Sequence, residues 1–259
     1  MPWYDQDSLG SSSRAREWQL SGQRAVAPKG GVVIMRLLPH PSSWEFAMDG
    51  NAPMPLENFA ELVKPPYVRA VTHWYSTIDG SRKRVVCKQL VDESCFLCSA
   101  GVQKRTVFVF NAIMVDKTNQ PVRDEHNAID VRLLFLSRRM YGDLINLMTG
   151  DFGVGDVTHP ILGRPLAMKR PASDFEPWRF SPFPSPVPIF PVSPPNDYSQ
   201  ILDFLKHLTP PEESIKLLVA PPGAEREFDR AASLSETRSW QRSQPKSSGS
   251  AGGEDEVPF

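Results

Sequence analysis

One histidine and all three cysteines of this 259-residue chain fall in a single short stretch, His73 to Cys98, with Cys87 and Cys95 between them. Thiolate sulfur and imidazole nitrogen are the donors that a borderline-soft divalent ion such as Zn²⁺ takes into a tetrahedron, and Cys95-Phe-Leu-Cys98 lets one tight turn supply two of them. The same residues have plainer readings. A Cys-x-x-Cys can be a redox pair, but that motif is expected at a helix start in a βαβ setting, which the polar surroundings do not suggest. An odd number of cysteines and no signal peptide argue against disulfides and for a reducing compartment. Buried free thiols remain the main alternative, and His40, His126 or His159 compete with His73 for the fourth place. Four protein ligands leave no coordination position open, so an ion held there, one Zn²⁺, is structural and catalyses nothing. What the loop displays then matters more, and it carries Arg82, Lys83, Arg84 and Lys88, with Lys104 and Arg105 just after it.

Such a loop needs strands to hold it. Gly31 to Leu38 is a β-rich run stopped by Pro39 and Pro41. Trp44 and Phe46 alternate with polar neighbours as a short strand does, and prolines punctuate the connection to a strand over Tyr67–His73. After the cysteines, Thr106–Val115 sets Val107, Val109, Ile113 and Val115 on one face and Phe108 and Phe110 on the other. Asp116–Asn127 is turn-like and Ile129–Leu136 returns as a strand, which makes a long hairpin. Ser137 is an N-cap for a helix through about Met148 that Gly150 ends. Asp156–Lys169 reads as a turn into a last strand. Short β-segments broken by one or a few short helices predict a mainly β, small antiparallel barrel.

The rest of the chain divides by composition. Residues 1–28 read as a flexible arm, 29–170 as the core, 171–196 as a Pro-rich linker, 197–220 as a short helical segment and 221–259 as a disordered tail. Net charge is −1, but residues 29–180 carry 19 Lys+Arg against 16 Asp+Glu and residues 181–259 carry 7 against 11. The middle is mildly basic and the end acidic. No apolar run reaches the roughly 20 residues that span a bilayer, and the expected location is the cytoplasm, a host's cytoplasm for a phage-encoded chain. Walker-type, His-Glu-x-x-His, Gly-x-Ser-x-Gly and deaminase His-x-Glu signatures are missing, so no enzyme is expected.

The order His73, Cys87, Cys95, Cys98 resembles that of the helix-destabilising single-stranded DNA-binding proteins of T-even phages, whose core is a zinc-bearing OB-fold. Val33-Ile-Met-Arg-Leu-Leu-Pro39 resembles the family's first core strand, Val71-Thr-His-Trp74 its metal histidine region, and Phe135–Met148 its strand-to-helix segment. The likeness covers roughly residues 31–170. It implies an OB-fold-like barrel with a zinc-binding subdomain that binds single strands without sequence preference in replication, recombination and repair, with self-association on DNA.

The last six residues, Glu254-Asp255-Glu256-Val257-Pro258-Phe259, resemble the acidic tip of bacterial single-stranded DNA-binding proteins, which recruits replication, recombination and repair enzymes. Binding single strands needs a basic track and aromatic faces. The expected phosphate contacts are Arg82, Lys83, Arg84, Lys88, Lys104, Arg105, Arg138 and Arg139, and the expected stacking residues are Trp74, Tyr75, Phe108, Phe110 and Tyr141. About half of these aromatics should belong to the core. The competing expectation is a zinc-stabilised protein–protein adaptor of the replication or transcription machinery that binds no DNA itself.

Overall fold

The structure is a computed structural model that describes residues 31–77, 82–91, 93–124, 127–151, 153–170, 178–219, 224–226 and 228–231, with only the backbone of Arg82. The N-terminal arm, His126 and the acidic tip lie outside the described residues. The described residues contain nine strands: β1 Val32–Leu37, β2 Met48–Asp49, β3 Ala52–Pro53, β4 Tyr67–Ser76, β5 Arg82–Val86, β6 Arg105–Met114, β7 Val131–Ser137, β8 Leu166–Lys169 and β9 Arg179–Pro182. Helices α1 Leu56–Leu62, α2 Phe96–Ser99 and α3 Arg138–Thr149 come between them, and α4 Ser199–Lys206 and α5 Pro211–Ser214 follow β9. The architecture is mainly β and antiparallel, with a few short helices.

β6 is the spine of the sheet. Along one margin it pairs first with β4 (Tyr67 opposite Phe110, Thr72 opposite Arg105) and then with β1 (Leu37 opposite Ala112, Met35 opposite Met114). Along the other margin it pairs with β7 from Val107–Ser137 to Ile113–Val131. β1 continues the sheet through β8 to β9, and β5 lies beyond β4. Because side chains alternate in a strand, this register gives β6 two faces. Phe110, Ala112 and Met114 enter a core with Met35, Leu37, Leu134, Leu136 and Leu144 of α3. Val107 and Val109 face the other way against Ala70, Leu133, Ile215 and Leu218, and Ile113 and Val115 against Ile189, Ile201 and Leu205.

The expected barrel is not closed. Among the described residues no ladder joins β7 to β9, because after Ser137 the chain turns into α3, and that helix packs on β6, β7 and β9. Ser137 caps it by accepting a hydrogen bond from the Met140 amide at 3.3 Å, and Gly150 follows its last turn. A helix therefore lies between the two margins in place of strand-to-strand bonds.

The Pro-rich stretch read as a linker belongs to the fold over residues 178–196. Arg179–Pro182 pairs with β8 at the end of the sheet, where Pro182 is tolerated, and Ile189 and Phe190 are buried against β1 and α4. The buried guanidinium of Arg36 helps to hold that stretch, donating to the carbonyls of Val157 at 2.6 Å, His159 at 2.8 Å and Val187 at 3.1 Å. Burial lowers its pKa to about 9 against the opposing pull of Asp156. The helical segment 197–220 packs on the sheet, with Ile201, Leu205, Ile215 and Leu218 buried. Two local expectations fail. Trp44–Phe46 lies in a 3-10 helix, Pro41–Phe46, because Pro41 stands at its start and the Ser42 amide donates to His40 Nδ1 at 3.2 Å. The proline-punctuated connection contains α1, which begins just after Pro55.

The described residues of Trp74–Arg84 group with 224–226 and 228–231 as a second unit. In it residues 224–226 and 228–231 are helical, within the tail expected to be disordered, and the rings of Tyr75 and Phe228 meet edge to face at 6.3 Å. No described helix is long and apolar enough to cross a membrane.

Candidate metal centre and candidate nucleic-acid interface

Each donor of the candidate metal centre is placed by a local device. His73 lies on β4 on the same face as Tyr67, Arg69 and Val71, and it is fully buried. Cys87 follows β5, and its amide donates to the Val71 carbonyl at 2.9 Å, which ties it beside the histidine strand. Cys95 and Cys98 stand at the two sides of the α2 turn, which is anchored by buried Leu97 and closed by amides of Cys98 and Ser99 donating to the Cys95 carbonyl. Gly101 leaves the turn at φ +70°, a conformation that favours glycine.

The four donor atoms all lie within 4.8 Å of one another. A tetrahedral ion with metal–sulfur bonds of about 2.3 Å and metal–nitrogen bonds of about 2.05 Å has edges of about 3.8 Å between sulfurs and about 3.6 Å between sulfur and nitrogen. Cys87 Sγ and Cys98 Sγ are 3.5 Å apart, and His73 Nε2 stands 3.8 Å from Cys95 Sγ and 3.4 Å from Cys98 Sγ. The group therefore has the size and the donor chemistry of a single metal site.

Burial sets the protonation of Cys87 and His73. Burial pushes the Cys87 thiol up to about 12, against the Gln89 amide, so a thiolate there needs a positive partner. Cys95 is lowered, because amides of Cys98 and Lys88 and the neighbouring thiols outweigh the cost of burial. His73 is lowered chiefly by burial, with Lys104 adding to it and the backbone of Val102 and Gln103 opposing, which keeps the ring neutral and its Nε2 lone pair free for a metal. Among the described residues its Nδ1 has no hydrogen-bond partner of ordinary geometry. The other candidate histidines have different work: His40 caps the 3-10 helix and meets Glu212 at 3.0 Å, while His159 Nε2 contacts the Met54 carbonyl and its Nδ1 accepts from the amides of Ile161 and Leu162.

On the same face of the sheet as His73, the aromatic residues gather. The Phe108 and Tyr141 rings stack at 3.9 Å with an interplanar angle of 7°, and Tyr67 meets both edge on, at 5.5 and 5.0 Å. The Tyr141 hydroxyl donates to that of Tyr67 at 3.0 Å. Burial and the Tyr67 hydroxyl push the Tyr141 phenol up to about 12, so it stays neutral. Phe108, Tyr141 and Tyr67 are half-buried, whereas Phe110 is buried in the core and Tyr75 is buried. Phe110 and Tyr75 therefore offer no face to a base. Trp74 is 41% exposed, in the second unit, with the Arg84 guanidinium 5.6 Å from its ring centroid.

Several cations neighbour the stacked pair in register or along the chain. Arg69 is directly opposite Phe108 in the β4–β6 ladder, and Lys104 and Arg105 open β6 where β7 runs into α3. Arg69, Lys104, Arg138 and Arg139 are exposed and form no ion pair among the described residues, and the Arg105 guanidinium donates to Gln103 Oε1 at 3.5 Å. Arg138 and Arg139 occupy the first turn of α3, which contains no acidic residue. The helix dipole disfavours cations at that end, so two of them there cost stability that an anion would recover. Lys88 is bound to Glu93 at 3.2 Å, and Lys83 is exposed in the second unit. Arg69 and Tyr67 were missed as site residues, although their alternation with His73 along Tyr67-Val-Arg-Ala-Val-Thr-His73 places them on one face.

No family model matches the chain, and no curated protein matches it.

Proposed function

We propose that the chain is a sequence-independent single-stranded DNA-binding protein whose His73, Cys87, Cys95 and Cys98 hold one structural Zn²⁺. The carrying observation is the pair Arg138–Arg139 at the positive end of α3 beside the half-buried Phe108–Tyr141 stack. A base extends the ring stack, and its flanking phosphates meet Arg138, Arg139, Arg69 and Lys104, cations that have no ion pair to give up. Stacking reads no base identity, which suits binding without sequence preference. The ion's part is to fix the loop between β4 and β6, so that Lys104 stands beside His73 at the start of β6. The open sheet plugged by α3 is read as an OB-fold-like core, in keeping with the resemblance of residues 31–170 to the phage proteins. The tip Glu254–Phe259 is assigned the recruitment of replication, recombination or repair proteins.

The test is fluorescence titration of the zinc-loaded protein with an oligo-dT strand, for wild type and for Phe108→Leu. Stacking contributes about 1–3 kcal/mol per base, so the variant should bind at least about fivefold more weakly with unchanged zinc content. Equal affinities would remove the stack from the interface. Absence of strand binding by the wild type would turn the reading to a metal-stabilised protein adaptor.

A further inference from the structure

On the opposite side of β6 and β7 from the aromatic stack lies a cleft of about 590 Å³, formed by residues 129–133 with α4 and the segment that follows α5. Its walls are amphipathic. Ile129, Val131, Phe204, Leu208 and Leu217 supply apolar surface, and Leu217 is 72% exposed. Asp124, Asp130 and Asp203 also line it, against Arg132, which is bonded to Asp130 Oδ2 at 2.7 Å, and His207, whose Nδ1 stands 3.5 Å from Asp203 Oδ1.

Two buried acceptors in the lining have no hydrogen-bond partner among the described residues. Asn111 is 1% exposed and donates its Nδ2 to the Thr209 carbonyl at 2.8 Å, which leaves Oδ1 unbonded; Asp130 is 6% exposed and its Oδ1 is unbonded. A buried acceptor without a donor is costly, and two in one cleft ask for a ligand that brings N–H groups. A side chain with an apolar stem and a cationic, donor-rich end has that chemistry.

We propose that this cleft binds an extended segment of a partner protein, with an arginine or lysine side chain entering toward Asn111 and Asp130 and an apolar neighbour resting on Leu217 and Phe204. The partner is basic and apolar, and the net acidity of the cleft selects it over an acidic peptide. The site is separate from the proposed DNA-binding face, so it stands or falls independently of that reading.

The experiment uses the full zinc-loaded chain and a fluorescein-labelled Leu-Arg-Leu-Arg-Leu peptide, followed by anisotropy, with Leu-Glu-Leu-Glu-Leu as control. Leu217→Ser and Asp203→Lys change exposed side chains, and thermal unfolding verifies that both variants remain folded. The arginine peptide should bind, the glutamate peptide should not, and each substitution should weaken binding about tenfold while oligo-dT affinity is unchanged. Failure of the arginine peptide to bind, or equal binding of both peptides, overturns the assignment. So does arginine-peptide binding that survives both substitutions, since it would place the peptide elsewhere, such as on Glu254–Glu256.

Discussion

At the scale of single residues, the metal quartet was the most legible part of the chain, because cysteine is rare here and the three stand within twelve positions. Which histidine joins them was not fixed by spacing; it depends on β4 lying beside the strand that ends at Cys87, a contact between distant backbones. Cys98→Ser should leave a site short of one thiolate. Metal content, measured by elemental analysis, should fall from one ion per chain to well below one, and the melting temperature should drop by about 10 °C if the lost binding is worth about 3 kcal/mol of folding stability. Unchanged metal content would show that the quartet is not the site. His159 gives a second prediction. Burial, with help from Arg36 and against the Met54 carbonyl, lowers its pKa to about 4 from an unfolded value of 6.5. Between these values the unfolded chain takes up a proton that the native state refuses, so stability is full above pH 6.5 and is lost as pH falls toward 4, by on the order of 3 kcal/mol. Urea midpoints of the wild type should fall steeply between pH 7.5 and 4.5, and those of His159→Gln, with the same metal ligands, should fall less. Parallel curves would contradict a buried neutral imidazole.

Among the elements, those with strong periodicity were readable: β1, β4, β6, β7 and α3 with both of its ends. Their apolar residues decide their burial locally. Proline misled twice. It marked Pro55 and the 178–196 stretch as breaks, but a proline before a helix costs nothing, and the last strand of a sheet needs no donor on its outer edge. The partition of the aromatics was hidden for a related reason: Phe108 and Phe110 share a face of β6, and only the position of α3 makes one core and leaves the other half-covered. A joint substitution of both would therefore disrupt the core as well as the stack, which is why Phe108 alone is informative. The α3 start yields a prediction with two signs. Replacing Arg138 and Arg139 together by Glu should stabilise the protein by about 0.3–1 kcal/mol for each site through the helix dipole. The same change should weaken oligo-dT binding by more than tenfold, read by thermal unfolding and fluorescence titration on one preparation. Loss of both stability and binding would mean that the arginines serve the fold.

For the whole molecule, the central claim is a division of labour between two faces of one sheet. The candidate metal centre, the aromatic stack and the exposed cations Arg69 and Lys104 belong to one face, and buried residues of 189–219 cover the other. The sequence signalled the first face through its ligands and charges, whereas the cover was obscured by proline and by helices too short to be stable alone, which are stabilised only by burying Ile201, Leu205, Ile215 and Leu218. The most direct test is a titration of the zinc-loaded protein with oligo-dT over a salt series, with duplex of equal length as control. If Arg69, Lys104, Arg138 and Arg139 each engage one phosphate, log affinity should fall against log salt with a slope of about −3, and duplex should bind far more weakly. Affinity that is insensitive to salt, or equal for strand and duplex, would contradict the account.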